Sequence, residues 1–253
     1  MPNKSTQGKL ACGYILIALC VLIAGCVTMY NPATGRKETL FISTQEEVKL
    51  GADMDRQLRQ KTKMINDRRM QDRVNTIGSR LAMYSDRQDL HYHFAVVDDK
   101  ELNAFAIPGG YVYINKGLME QANDDELAGV MAHEIGHIAA KHSVKQLQGQ
   151  LGLQLIMSII LGGSESAANT EQALNVVSNL VNLGYSRSDE YLADKLAVRY
   201  TRRAGYSPIG IVTFFKKLEA QGGTAMHLVF LSSHPATSER IKRVEQEMQI
   251  NPF

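Results

Sequence analysis

Two histidines four residues apart enclose a glutamate in the run His133-Glu134-Ile135-Gly136-His137. Upstream, Asn123-Asp124-Asp125-Glu126 offers a capping residue followed by acidic groups, and Leu127, Val130 and Met131 follow at helical spacing. The run therefore lies on a helix, where residues four apart differ by about 40° around the axis and stand one turn apart. Both imidazoles then face the same way, as two ligands of a tetrahedral zinc must. Glu134 is about 100° round from His133, where a carboxylate can take a proton from a water without binding the metal. The combination points to zinc-dependent cleavage of peptide bonds. A pair of helix histidines on an apolar face can equally be ordinary core, so further ligands have to be found.

His142 follows His137 by five residues, about 140° round a continuous helix, and is expected to face elsewhere, on the surface. The longer metzincin pattern needs Gly and His where this chain has Ala140 and Ser143, which excludes that class. Ser186-Arg-Ser-Asp-Glu190-Tyr-Leu-Ala-Asp194 starts another helix, with Ser186 or Ser188 as its cap. Glu190 and Asp194 share one face of it beside the small Ala193. One of these carboxylates can ligate zinc while the other accepts the remaining N–H of a ligating imidazole. An acidic first turn stabilised by the helix dipole is the alternative reading.

The elements that must position these residues are mostly helical. Ser43 and Thr44, with Glu46 and Glu47 three residues on, give capping boxes for a helix to near Gln60; a second runs from about Asp67 to Tyr84 with Val74, Ile77 and Leu81 on one face. His91 to Val97 and Tyr111 to Asn115 read as strands, with Phe105-Ala-Ile-Pro-Gly-Gly as a turn between them. From Asn123 the pattern is helical to the C-terminus. The apolar stretch from Leu147 to Leu161 and Leu174 to Leu183 make a helical hairpin, and Ser207-Pro208 caps a helix ending at Gly222-Gly223. The fold class is α+β, mostly helix, with a small sheet before the metal helix.

The N-terminus carries a polar start with Lys4 and Lys9, an apolar run from Tyr14 to Ala24, and then Ile23-Ala24-Gly25-Cys26. This is the layout of a secretory signal, and the tetrapeptide resembles the lipobox of bacterial lipoproteins, in which the cysteine is lipidated. Residues 1–25 are read as the signal, 26–43 as lipidated Cys26 and a tether, and 44–253 as the catalytic domain. Val27, with no Asp after the cysteine, favours the outer membrane by resemblance to the bacterial sorting pattern. Removal of the signal leaves 26 basic against 26 acidic residues. That balance gives no footprint for nucleic acid. Cys12 and Cys20 leave with the signal, so thiol chemistry and an intrachain disulfide are excluded.

His-Glu-x-x-His, then Ser-Arg-x-x-Glu-x-x-Ala-Asp some fifty residues later, then His234-Pro235, resembles metallopeptidase family forty-eight, the group of HtpX, the CAAX prenyl proteases and the periplasmic BepA-like lipoproteins. The matching motifs run from Asn103 to about Arg240. The resemblance implies a gluzincin core, as in thermolysin, with one zinc per chain held by His133, His137 and Glu190. It makes Asp194 the partner of a ligand and Arg240 a support behind the site. The membrane helices of HtpX and the helical-repeat domain of BepA have no counterpart, so the short lipoprotein branch is the expected relative.

By the same resemblance, Asn103 and the stretch Gly109-Gly110-Tyr111-Val112-Tyr113 form the edge strand over the cleft, where an extended substrate pairs through its backbone. His234 either donates to the oxyanion of the tetrahedral intermediate or takes the fourth zinc position as a latch. The expected protein is a lipid-anchored zinc endopeptidase at the periplasmic face of the outer membrane, cutting unfolded or misassembled envelope proteins. A silent or latched zinc-stabilised, chaperone-like binding lipoprotein is the alternative.

Overall fold

The computed structural model describes residues 27–149, 184–220, 233–235 and 238–250. The signal segment with Cys26, and most of the apolar hairpin expected between residues 147 and 183, lie outside the described residues.

The chain opens on a hairpin of β1 (Val27–Asn31) and β2 (Arg36–Leu40). Helix α1 (Thr44–Lys61) follows, then α2 (Arg68–Ala82), β3 (His93–Val97), β4 (Ala104–Ile107), β5 (Tyr111–Asn115), α3 (Lys116–Gln121) and α4 (Asp124–Ala139). A helical stretch covers residues 142–149, and beyond it come α5 (Arg187–Arg203), α6 (Gly210–Ala220) and α7 (Ser238–Ile250).

The hairpin corrects the expected tether. Asn31, Pro32 and Gly35 are residues that linkers and tight turns share. Here the Asn31 side chain accepts from Ala33 N at 2.9 Å, and Gly35 adopts a left-handed φ of 67°. Leu40 and the following Ile42 bury into the core, while Lys145 Nζ pairs with Glu38 at 2.7 Å and Phe41 N donates to Gln148 at 2.8 Å. The segment is therefore docked onto the stretch that follows α4.

The three-stranded sheet has the order β3-β5-β4, parallel on one side of β5 and antiparallel on the other. Both faces are covered. Ala104, Ala106, Val112 and Ile114 face the main core with α2 and α4, whereas Phe105, Ile107 and Tyr113 face a second core built on Leu50 and Met54 of α1. Residues 105–107, read from sequence as part of a turn, belong to the strand β4: with both faces buried there is no polar alternation to betray it. The turn proper is Pro108-Gly109-Gly110, where φ of 82° and 97° requires glycine.

A buried charge cluster locks these parts together. Glu47 of α1 receives Arg87 Nη2 and Lys141 Nζ, each at 3.1 Å, and lies 3.5 Å from Gly109 N. It joins α1 to the glycine turn and to the end of α4.

Helix α4 is apolar nearly all round and its final fourteen residues are buried, as such a helix must be. Asn123 caps it in a capping box with Glu126. At Gly136 an added Cβ would stand 3.0 Å from Ala193 O. The missing side chain lets α5 approach α4 closely and brings Glu190 beside the two imidazoles.

Candidate metal centre

His133, His137, Glu190 and His234 are all buried, and one donor atom from each lies within 4.8 Å of the others. His133 Nε2 is 3.0 Å from His137 Nε2 and 3.3 Å from His234 Nδ1. Glu190 Oε1 is 3.0 Å from His234 Nδ1 and 3.5 Å from His137 Nε2, and Oε2 is 3.4 Å from His133 Nε2. Bonds of about 2.0–2.1 Å to zinc set tetrahedral donors about 3.3–3.4 Å apart. The donor set of three imidazoles and one carboxylate fits that metal in both spacing and chemistry.

Behind the donors stand the residues that orient them. His133 Nδ1 is 2.9 Å from Asp194 Oδ1, which leaves Nε2 turned to the site. Arg240 clamps Asp194 with Nε and Nη2, both at 2.7 Å. Its Nη1 lies 2.7 Å from Glu190 Oε2 and donates to Pro235 O at 3.1 Å, so one guanidinium ties Glu190, Asp194 and the His-Pro turn together. Its plane lies over Phe215 at 4.8 Å. Burial works to raise the Asp194 carboxyl, but Arg240 and His133 hold it below its ordinary value. Glu190 is likewise pulled far down, against its burial, by His234 and His133.

Replacing Arg240 by Met would take the guanidinium away from two buried carboxylates. The expected cost is about 3–5 kcal/mol, or roughly 6–20 °C in Tm for a domain of this size. A thermal melt unchanged by the substitution would remove Arg240 from this role.

Glu134 is 1 % exposed. Burial raises its carboxyl above the ordinary value, against His234 and His133. Its Oε1 has no hydrogen-bond partner among the described residues, and His234 Nε2 lies 3.5 Å from it. Glu134 is thus beside the donor set and not part of it.

Two residues here escaped the sequence. His142 is buried, with Nδ1 at 2.9 Å from His137 Nδ1. The 140° expectation failed because α4 ends at Ala139 and the chain turns at Lys141, whose φ is +56°. Helical angle counting does not survive that break. Burial pulls the His142 imidazole down to about 4. Tyr185 stacks on His137 at 4.0 Å and its hydroxyl meets Ser143 Oγ at 3.0 Å. Only its place before the Ser186 cap could have drawn notice.

The expected edge strand needs correcting. Tyr111, Val112 and Tyr113 lie on β5, the central strand, paired on both sides. Val112 is core, Tyr113 donates to Asp55 of α1 at 2.6 Å, and Tyr111 stacks on His93. Gly109 and Gly110 pack against Glu47 O and His91 O. These residues build the scaffold. Among the described residues β4 is the sheet edge beside α4, with Ala104 and Ala106 buried, and Asn103 stands at its start. Asn115 N donates to Asn103 O at 2.9 Å, so the alternation of an antiparallel ladder turns the backbone groups of Ala104 and Ala106 outward.

A model of peptidase family M48 matches residues 68–248. The chain belongs to that family. Among relatives, the Beta-barrel assembly-enhancing protease of Escherichia coli is 26% identical over 220 residues, covering 83% of this chain and 45% of that protein. Metalloprotease LoiP of the same organism is 31% identical over 178 residues, covering 70% of this chain and 69% of its own length. Metalloprotease YcaL is 28% identical over 158 residues, with 62% of each covered. The chain spans under half the length of the assembly-enhancing proteases it matches. The family match begins at α2, so the hairpin and α1 precede it.

Proposed function

We propose that the chain is a zinc endopeptidase whose site rests in a closed state, with His234 as the latch. The observation that carries this reading is the position of His234: Nδ1 completes the set of four donors while Nε2 lies 3.5 Å from Glu134 Oε1. A catalytic zinc site keeps one position open, whereas four protein ligands describe a closed one. Of the two roles expected for His234, the latch has the geometry on its side.

When bound, zinc supplies a Lewis acid that polarises a peptide carbonyl and acidifies a water. His133, His137 and Glu190 would hold it. With His234 swung away, Glu134 takes the proton of the attacking water and returns it to the amine nitrogen as the C–N bond breaks. The substrate lies extended along β4, pairing with Ala104 and Ala106, and main-chain pairing reads little of its sequence. Ala106→Pro deletes an N–H that β5 does not use, at a buried position of the edge strand. In protein that still shows a cooperative melt, it is expected to lower kcat/KM on casein by at least about tenfold. Val112→Pro, on the central strand, is expected to prevent folding. Full activity in Ala106→Pro would move the substrate off β4.

Unfolded or misassembled envelope proteins are the substrates this reading favours, supported by the likeness to beta-barrel assembly-enhancing proteases and by the lipobox-like segment. The same segment supports attachment through lipid at Cys26 and a place on the periplasmic face of the outer membrane. No helix among the described residues is long and apolar enough to cross a membrane. Labelling with radioactive palmitate, lost on Cys26→Ser, tests the anchor.

A further inference from the structure

We propose that His142 is a positioning residue that fixes the tautomer and ring plane of His137, and that Asp189 in turn fixes His142. The inference rests on the zinc-site reading above. His137 turns Nε2 toward the other donors, 3.0 Å from His133 Nε2, and turns Nδ1 outward to His142 Nδ1 at 2.9 Å. On its far side His142 Nε2 is 3.3 Å from Asp189 Oδ1. Asp189 Oδ2 accepts from Ser186 Oγ at 2.6 Å, and Ser186 is the cap of α5. The three side chains form a line from the donor cluster to a cavity lined by His142, Lys145, Tyr185, Ser186 and Asp189.

Counting protons along this line leaves one arrangement compatible with a metal. A ligating Nε2 needs its lone pair, so the His137 proton sits on Nδ1. Two N–H groups cannot face each other at that separation, so His142 Nδ1 must be the acceptor. The His142 proton is then on Nε2, the atom that faces Asp189 Oδ1 at 3.3 Å. The opposite arrangement places a proton on His137 Nε2, pointing at His133, and closes the site to a cation. Asp189, an acceptor only, selects the first arrangement. The two histidines of the motif are therefore served differently: His133 by Asp194 directly, His137 through an intervening imidazole. Both carboxylates ride on α5, one residue before Glu190 and four after it, so a single helix supplies a ligand and both orienting groups.

The test is zinc affinity of the full chain, measured by competition with a chromogenic chelator, alongside nitrogen-15 histidine spectra of the zinc-loaded wild type. His142→Leu is expected to bind zinc about 10–100-fold more weakly. His142→Asn, whose Oδ1 stands near the lost Nδ1 and can still accept from His137, is expected to recover most of that loss. The spectra are expected to show His142 protonated at Nε2 and bare at Nδ1, and His137 protonated at Nδ1. Equal affinity of His142→Leu and wild type, an Asn variant as weak as Leu, or a protonated His142 Nδ1 would each overturn the proposal. If His142→Leu does not fold, the wild-type spectra decide alone. Wild-type protein that takes up no zinc would refute the metal-site reading instead.

Discussion

Glu134→Gln is expected to lower casein hydrolysis by about 10²–10⁴-fold with the zinc content unchanged. The substitution keeps size and shape and removes only the ability to take a proton. Glu134 is buried beside the donors, and its Oε1 lacks a hydrogen-bond partner among the described residues. Such a carboxylate costs stability, and the proposed role in proton transfer accounts for its presence. Two measurements belong together for that reason. Activity should collapse, while the melting temperature should hold or rise. Retained turnover in Glu134→Gln would place the general base elsewhere, and lost zinc would make Glu134 part of the metal shell.

His234→Ala is expected to act in the opposite direction and raise the basal rate by about tenfold or more. If the closed state dominates the resting population, apparent activity is scaled down by the open fraction, and a bias of about 1.4 kcal/mol already hides nine-tenths of it. His234 is held at three points: Nδ1 by the donor cluster, Nε2 near Glu134, and the following Pro235 carbonyl by Arg240. Removing the imidazole opens the fourth position and releases Glu134 together. Zinc affinity should fall modestly, because one of four donors is lost. A silent His234→Ala protein that still holds zinc would contradict the latch and restore the oxyanion role.

The clustering of the candidate donors was legible because it is written locally. A four-residue spacing on a capped helix places His133 and His137, and the same spacing places Glu190 and Asp194 on the helix capped by Ser186. Local signals also marked α1 and α2 through the Ser43 and Asp67 caps. What could not be read depends on contacts distant in sequence. The order β3-β5-β4 puts the more sheet-like Tyr111–Asn115 in the centre and the plainer Ala104–Ile107 at the edge, and pairing order has no local signature. His142 was misplaced because one left-handed residue, Lys141, ends the helix on which its angle was counted. Lys141 tolerates that conformation while its ammonium reaches the buried Glu47, a partner 94 positions away. The hairpin at residues 27–40 was hidden by turn residues that serve linkers as well.

Zinc titration of the metal-free wild-type chain, followed by casein hydrolysis, tests the central claim most directly. One site built from His133, His137 and Glu190 predicts a rate that is nil without metal, rises in proportion to added zinc and reaches its maximum at one equivalent. Hydrolysis that is indifferent to zinc, or that continues to climb well beyond one equivalent, would contradict it.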